Sequence, residues 1–378
     1  MAKERSAFFR SVQALIGVVI GVGIFGLPYV FSQSGFAIGV GHLVFIAVIN
    51  AVVLFSVADL LIHTPGHHRL TGLLERYLGP IWKHVGTLIL FASSWGAMLA
   101  YIIIGGQFLD SLCGSWLGGN ELMYQIIFYL FSSIILIGGF GFISRFESIF
   151  SSVLLIAICV LLIGASPEIE TSALTTVDWS NWFLPFGVVL FAFGGLSALP
   201  EMAQILGKEK HRLKYSVVVG LFIVAVIYLA FATVVLSVTG THTTEESMIG
   251  LGRALGPWAL IIGSFVGLIS VATSFIMIGL SMINTLVYDY RLSYLASWAL
   301  VIGTPGLLFL IGARDFIDVI GFSGSLLGGI LGILIIAMYW HAKKHAVSIR
   351  RFLRIPRWVL VPCALLYFAG IILTILNA

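Results

Sequence analysis

A group of glycines followed by a proline interrupts the first long apolar segment of the chain. Gly21, Gly23, Gly26 and Pro28 lie within eight residues, about where this segment would cross the middle of a bilayer. Glycine costs about 1 kcal/mol relative to alanine in a helix interior, and proline removes a helical hydrogen bond. In hydrocarbon, a break is tolerated only where its N–H and C=O groups face protein or a water-filled cavity. Because such groups can bind a small zwitterion or a cation, the sequence predicts a binding site in the middle of the membrane.

The sixth apolar segment contains a similar interruption. Gly194 and Gly195 lie in its middle and Pro200 follows them, five segments after the first break, so the two segments cross in opposite directions. Glycines in membrane helices also serve as packing contacts, and this is the alternative for either segment alone. Interruptions at matching positions of two halves are typical of transporters built from an inverted repeat. The pair therefore favours two broken helices.

The composition determines the class of protein. Of 378 residues, 60% are hydrophobic and 10% are charged, and the mean hydropathy is +1.10. A soluble domain of this size cannot bury so much apolar surface, so we expect an all-α polytopic membrane protein. Eleven segments are long enough to be transmembrane helices: 11–33, 37–62, 82–109, 122–141, 147–166, 181–206, 215–238, 257–287, 293–311, 319–340 and 357–376. We expect a single transporter domain over 1–378, with spans 1–5 (11–166) and spans 6–10 (181–340) as repeats and span 11 (357–376) as an addition.

The basic residues predict the orientation of these spans. With the N-terminus in the cytoplasm, all of the 20 Lys and Arg except Arg253 and Arg314 lie on the inner side. This is the bias that the positive-inside rule requires. An odd number of spans then places the C-terminus outside. We predict a multi-pass protein of the cell (plasma) membrane in this orientation.

Three segments resemble a known family. Residues 21–36, GVGIFGLPYVFSQSGF, are similar to the first-span signature of the amino acid/auxin permease family, and residues 191–201, FAFGGLSALPE, are similar to its sixth span. The segment from Ala272 to Tyr290 resembles its eighth span. The family belongs to the amino acid–polyamine–organocation (APC) superfamily. The resemblance implies the LeuT-type fold, a five-plus-five inverted repeat with broken helices 1 and 6, here with one extra C-terminal helix.

The resemblance also implies roles for the residues of the two breaks. The N–H groups of Val22, Gly23 and Ile24 should bind the carboxylate of an amino acid. Its ammonium group should meet carbonyl groups near the breaks, at Ile20, Gly21, Phe191, Ala192 and Gly194. Phe191 or Phe193 is a candidate aromatic gate and Tyr101 a candidate hydroxyl near the carboxylate, although packed aromatic residues are an equal alternative. Because these residues carry no charge of their own, we expect a neutral amino acid.

Two kinds of coupling ion are compatible with the sequence. A sodium site would use the hydroxyl groups of span 8 together with carbonyl groups of span 1, at Ser270, Thr273, Ser274, Gly17 and Ile20. Hydroxyl groups in membrane helices also bond their own preceding turn, so this pattern permits sodium without requiring it. A proton would use Asp59 or Glu201, the carboxyl groups that fall within spans, where desolvation raises the pKa. The alternative for Asp59 is a carboxylate that faces the basic inner loops.

We predict from these observations a cation-coupled symporter of a neutral amino acid that works by alternating access. Arg5 or Arg10 with Asp289 could form a cytoplasmic gate that breaks when substrate is released. The alternative function is a non-transporting amino-acid sensor with the same fold. We expect no enzyme activity, no cofactor other than a possible Na⁺ ion, and no nucleic-acid partner. The expected partners are the amino acid, Na⁺ or H⁺, and the lipid bilayer.

Overall fold

The long apolar segments form helices, because a helix bonds every backbone group within its own segment. The computed structural model describes residues 2–66, 68–138, 147–345 and 355–377, with side chains omitted at 2–6, 147–151 and 344–345. The helices of these residues are α1 (Ala2–Val19), α2 (Gly23–Ser34), α3 (Phe36–His63), α4 (Leu70–Leu78), α5 (Pro80–Leu117), α6 (Glu121–Ile137), α7 (Glu147–Ala165), α8 (Leu184–Ala192), α9 (Ala198–Leu206), α10 (Leu213–Thr239), α11 (Met248–Leu255), α12 (Pro257–Tyr290), α13 (Tyr294–Leu310), α14 (Phe316–Phe322), α15 (Gly329–His345) and α16 (Arg357–Asn377).

Each predicted span corresponds to one helix or to consecutive helices, although not all of them have spanning length. Length and apolar composition identify six helical stretches that could cross a membrane among the described residues, or seven with the bent pair α1–α2. Three further apolar helices, Glu121–Ile137, Ser152–Glu168 and Tyr294–Leu310, are shorter. The multi-pass, all-helical class is therefore found, while the count of eleven spans and the inverted repeat remain predictions.

The first span is broken where the glycines lie. Helix α1 ends at Val19, α2 begins at Gly23, and the two axes differ by 59°. Pro28 is not at the break but inside α2. The glycines therefore account for the position of the interruption, and the proline does not.

The sixth span is broken in the same way. Helix α8 ends at Ala192 and α9 begins at Ala198, so residues 193–197 form a non-helical link. Pro200 falls in the first turn of α9, where its missing N–H costs little. Both predicted breaks are thus present.

The tenth span contains an irregularity that the sequence analysis did not predict. A π-helix, Ser323–Gly328, separates α14 from α15 and packs against α8. A Cβ atom at Gly324 would overlap the carbonyl oxygen of Gly187 and lie 2.6 Å from the backbone nitrogen of Phe191. The absence of side chains at Gly187 and Gly324 therefore allows the backbones of spans 6 and 10 to touch beside the break.

Candidate functional site

The break in the first span exposes the positive end of α2. Among the backbone hydrogen bonds that the structure describes, the N–H groups of Val22 and Gly23 donate none, and that of Ile24 reaches Gly21 O at 3.4 Å. A helix N-terminus carries about half a positive charge on such groups. The first turn of α2 is therefore suited to a carboxylate, and binding of a carboxylate there remains a prediction.

The two breaks lie directly against each other. A Cβ atom placed on Gly23 would be 2.7 Å from Ala192 Cα and 2.9 Å from Ala192 Cβ. Helices α1 and α8 both end here, at Val19 and Ala192, so two negative helix ends lie beside the positive end of α2. This crossing combines the two kinds of charge that a zwitterion requires.

Tyr228 of α10 joins the two helix ends. Its side chain is fully buried, and its hydroxyl oxygen lies 2.7 Å from Val19 O and 2.8 Å from Ala192 O. The hydroxyl group has one proton, so it donates fully to only one of these carbonyl groups at a time. Tyr228 therefore holds two converging carbonyl groups in place while leaving part of their hydrogen-bonding capacity for a cationic group.

Replacing Tyr228 with phenylalanine should lower both stability and substrate affinity. The carbonyl groups of Val19 and Ala192 would lose their donor in a buried place, at a cost of about 1–3 kcal/mol. Thermal unfolding in detergent and the KM for uptake measure the two effects. The matched control is Tyr215→Phe on the same helix, where the side chain is 68% exposed and little change is expected. Equal unfolding temperatures for the two variants would contradict this role of Tyr228.

Asn50 of α3 supports the second break. Its Nδ2 donates to Phe193 O at 2.6 Å, and its side chain is 6% exposed. Sequence analysis missed both Asn50 and Tyr228. For Asn50 a signal existed, because an amide in the middle of an apolar span needs a partner there. The hydroxyl of Tyr228, in the middle of span 7, needs a partner for the same reason.

The other predicted substrate residues lie in or beside the crossing. The hydroxyl of Tyr101 on α5 lies 3.7 Å from the position of a Cβ on Gly21, so α5 brings it to the first break. Phe193 is fully buried, with its ring 5.4 Å from that of Tyr228, while Phe191 is half-buried and Gly194 is exposed. Of the two candidate gates, Phe191 is therefore the more accessible.

None of the hydrogen bonds that the structure describes joins the predicted sodium ligands of α12 to those of the first span. Thr273 Oγ1 lies 3.0 Å from Ile269 O and from Ser270 O, so its hydroxyl bonds its own helix. Helix α12 packs mainly on α5, α11 and α7, whereas α1, which carries Gly17 and ends before Ile20, packs on α9 and α10. Ser270 is buried and Ser274 half-buried. The sodium site remains a prediction.

The two proton candidates differ in their surroundings. Asp59 is 1% exposed, contacts the ammonium group of Lys214 and accepts a hydrogen bond from Tyr339 at 2.8 Å. A carboxylate that faces basic groups was the alternative for Asp59, and the contact with Lys214 is compatible with it. Glu201 is exposed in the first turn of α9, and its part in proton coupling remains a prediction.

The predicted gate is not assembled from the described side chains. Arg10 and Asp289 are both exposed, and none of the ion pairs that the structure describes joins them. Asp289 instead lies close enough to Lys83 for an electrostatic attraction between the two side chains. The side chain of Arg5 falls outside the described residues.

Comparisons with known proteins support amino acid transport. The chain is 24% identical over 365 residues to the tyrosine-specific transport system 1 of Haemophilus influenzae, covering 89% of this chain and 88% of that protein. It is 24% identical over 355 residues to the low affinity tryptophan permease of Escherichia coli, covering 85% and 84%. These relatives are transporters rather than enzymes.

A solved structure and a family profile identify the fold and the family. The crystal structure of MhsT in complex with L-phenylalanine matches 96% of this chain and 98% of that chain with a TM-score of 0.70, at 15% identity. This likeness shows the LeuT fold. The narrower resemblance to amino acid/auxin permeases is not confirmed by these matches. The profile of the tryptophan/tyrosine permease family matches residues 4–376, and the chain therefore belongs to this family of amino acid transporters.

Proposed function

We propose that the protein is a secondary active transporter that imports a neutral amino acid by cation symport and alternating access. The contact of the two breaks at Gly23 and Ala192 carries this proposal. It brings the positive end of α2 beside the negative ends of α1 and α8. An amino acid has both charges on one carbon atom, so its carboxylate and ammonium groups can meet these helix ends together.

The substrate class that fits best is a neutral aromatic amino acid. Residues 20–24 and 191–194 carry no charged side chain that could balance a charged substrate side chain. Phe191 is half-buried and Tyr101 lies beside Gly21, so their rings can pack against an aromatic substrate at the crossing. The names of the tyrosine and tryptophan transport relatives and the ligand of MhsT support the same class.

Uptake into proteoliposomes tests the proposal. Labelled tyrosine, tryptophan, phenylalanine, lysine and glutamate would be supplied under an inward Na⁺ gradient or an inward proton gradient, with protein-free liposomes as the control. We expect one gradient to drive accumulation of the aromatic amino acids and neither gradient to drive accumulation of lysine or glutamate. Binding without uptake under both gradients would instead indicate a sensor, and accumulation of a charged amino acid would contradict a neutral substrate.

A further inference from the structure

The segment between α10 and α11 is hydrogen-bonded to α2, the second half of the broken first span. In this loop, residues 243–247, which the predicted orientation places outside, Ser247 is fully buried and its hydroxyl donates to Phe25 O at 2.5 Å. Ser247 has φ +63°, a left-handed conformation that is unfavourable for a non-glycine residue. Thr244 Oγ1 accepts a hydrogen bond from Gly250 N at 3.0 Å, which ties the loop to α11. The docked loop thus places a strained residue against the first turn of α2, next to the break.

Glu246 lies in this loop as a buried carboxyl group. It is 4% exposed, and no hydrogen-bond donor among the described residues reaches its Oε1. Burial raises the pKa of Glu246, and its own backbone N–H, the Thr244 hydroxyl and the N–H of Ile249 oppose this effect only in part. Asp59, the other carboxyl group of comparable burial in the described chain, is compensated by Lys214.

The acidic groups around the loop make ionisation of Glu246 less favourable. Glu121 at the start of α6 acts on Glu246, and Glu246 in turn acts on Glu245. Glu245 also faces the hydroxyl of Tyr29 on α2 and the carboxylates at the start of α14, Asp315 and Asp318. Burial and these negative charges raise the pKa of Glu245 to about 7.

The basic groups of the neighbouring elements do not pair with Glu246 in the described contacts. Arg253 on α11 and His242 before the loop are exposed. Arg314 before α14 donates from Nε to Phe309 O at 3.1 Å and stacks over the Phe309 ring. A charged Glu246 in the docked loop therefore has neither full solvation nor a cation to offset its burial.

We propose that Glu246 is a proton-binding site at the outer gate, and that the loop docks on α2 only while this carboxyl group is protonated. The proton comes from the outer solution, adds to a carboxylate oxygen and gives a neutral carboxylic acid. It returns to water when the loop leaves α2 and the carboxylate is hydrated again. This inference rests on the proposed function, because docking of the loop beside the break is taken as a step of transport.

The direction of the pH dependence follows from the burial. The neutral acid is buried at lower cost than the carboxylate, so docking is favoured at low pH. It is lost as the pH rises through the raised pKa of the docked state. Each unit by which docking raises the pKa changes the docking equilibrium about tenfold.

The test is exchange of labelled for unlabelled amino acid across the membrane of proteoliposomes that have the same pH on both sides. The pH is varied from about 5 to about 9, the range over which a carboxyl group with a raised pKa loses its proton. For the wild type we expect the exchange rate to fall about tenfold or more toward high pH, because the ionised carboxyl group disfavours docking. Glu246→Gln, which keeps the shape of the neutral acid, should exchange at every pH and depend less on pH than the wild type does. The matched control is Glu168→Gln, an exposed carboxylate in the loop between α7 and α8 that should keep the wild-type profile.

The outcomes separate this inference from the proposed function. Absence of exchange in the wild type at every pH would contradict transport itself. Exchange in the wild type with no pH dependence, or an unchanged pH profile in Glu246→Gln, would overturn the proton site while leaving transport intact. If Glu246→Gln does not fold, hydrogen exchange on the wild type decides. Protection of residues 243–250, corrected for intrinsic rates, should fall as the pH rises, and constant protection would overturn the proposal.

Discussion

Replacing Gly23 with alanine is expected to reduce amino acid binding and uptake by about 10- to 100-fold, which corresponds to the roughly 1–3 kcal/mol cost of overpacking. The new Cβ would lie 2.7 Å from Ala192 Cα and 2.9 Å from Ala192 Cβ, closer than packed carbon atoms approach. To relieve this steric overlap, α2 and α8 must move apart. Separation moves the N–H groups of the first break away from the carbonyl groups of the second, so the substrate can no longer meet both ends.

The controls for this variant use other positions of the chain. Gly41→Ala on α3 adds the same methyl group where nothing lies within 4 Å, and we expect wild-type uptake. Ala192→Gly removes one of the two close contacts, so the double variant Gly23→Ala/Ala192→Gly should recover part of the activity. Gly23→Leu should abolish binding. Normal uptake by Gly23→Ala or Gly23→Leu would show that the substrate does not bind at this crossing.

Sequence alone located the two breaks because their cause is local. A glycine weakens its own helix whatever surrounds it, and the positions of Gly21, Gly23, Gly194 and Gly195 in their spans are visible in the printed chain. The break residues then follow within a residue or two, as do the N–H groups of Val22 and Gly23, which donate none of the described backbone hydrogen bonds. Pro28 was a misleading signal, since its helix accommodates it.

The supporting side chains could not be predicted in this way because their partners lie far away in the chain. The hydroxyl of Tyr228 donates to the carbonyl group of Val19, and the amide of Asn50 donates to that of Phe193. These contacts depend on how separate spans pack. Ser247 meets Phe25 for the same reason. A single sequence shows that such polar groups need partners, but it does not show which partners they have. The coupling ion depends on distances of this kind, so the sequence alone does not identify it.

The contact between Asp59 and Lys214 predicts a large effect on stability. Lys214→Met would leave the carboxylate of Asp59, which is 1% exposed, without its cation. Removing one partner of a buried ion pair costs about 3–5 kcal/mol, and we expect the lower end because the Lys214 side chain is 28% exposed. The measurement is thermal unfolding of the purified protein. Lys208→Met, at an exposed lysine just before α10, is the matched control and should change the Tm little.

A double-mutant cycle distinguishes a structural pair from a proton carrier. Removing both charges in Asp59→Asn/Lys214→Met leaves no unpaired buried carboxylate, so it should cost less than the two single changes together. Tyr339 still reaches the amide of the asparagine, and spans 2 and 10 stay joined there. A structural pair predicts that the double variant regains both Tm and gradient-driven uptake relative to Lys214→Met. If the double variant regains its Tm but loses gradient-driven accumulation while exchange continues, Asp59 carries the coupling proton and the purely structural interpretation is wrong.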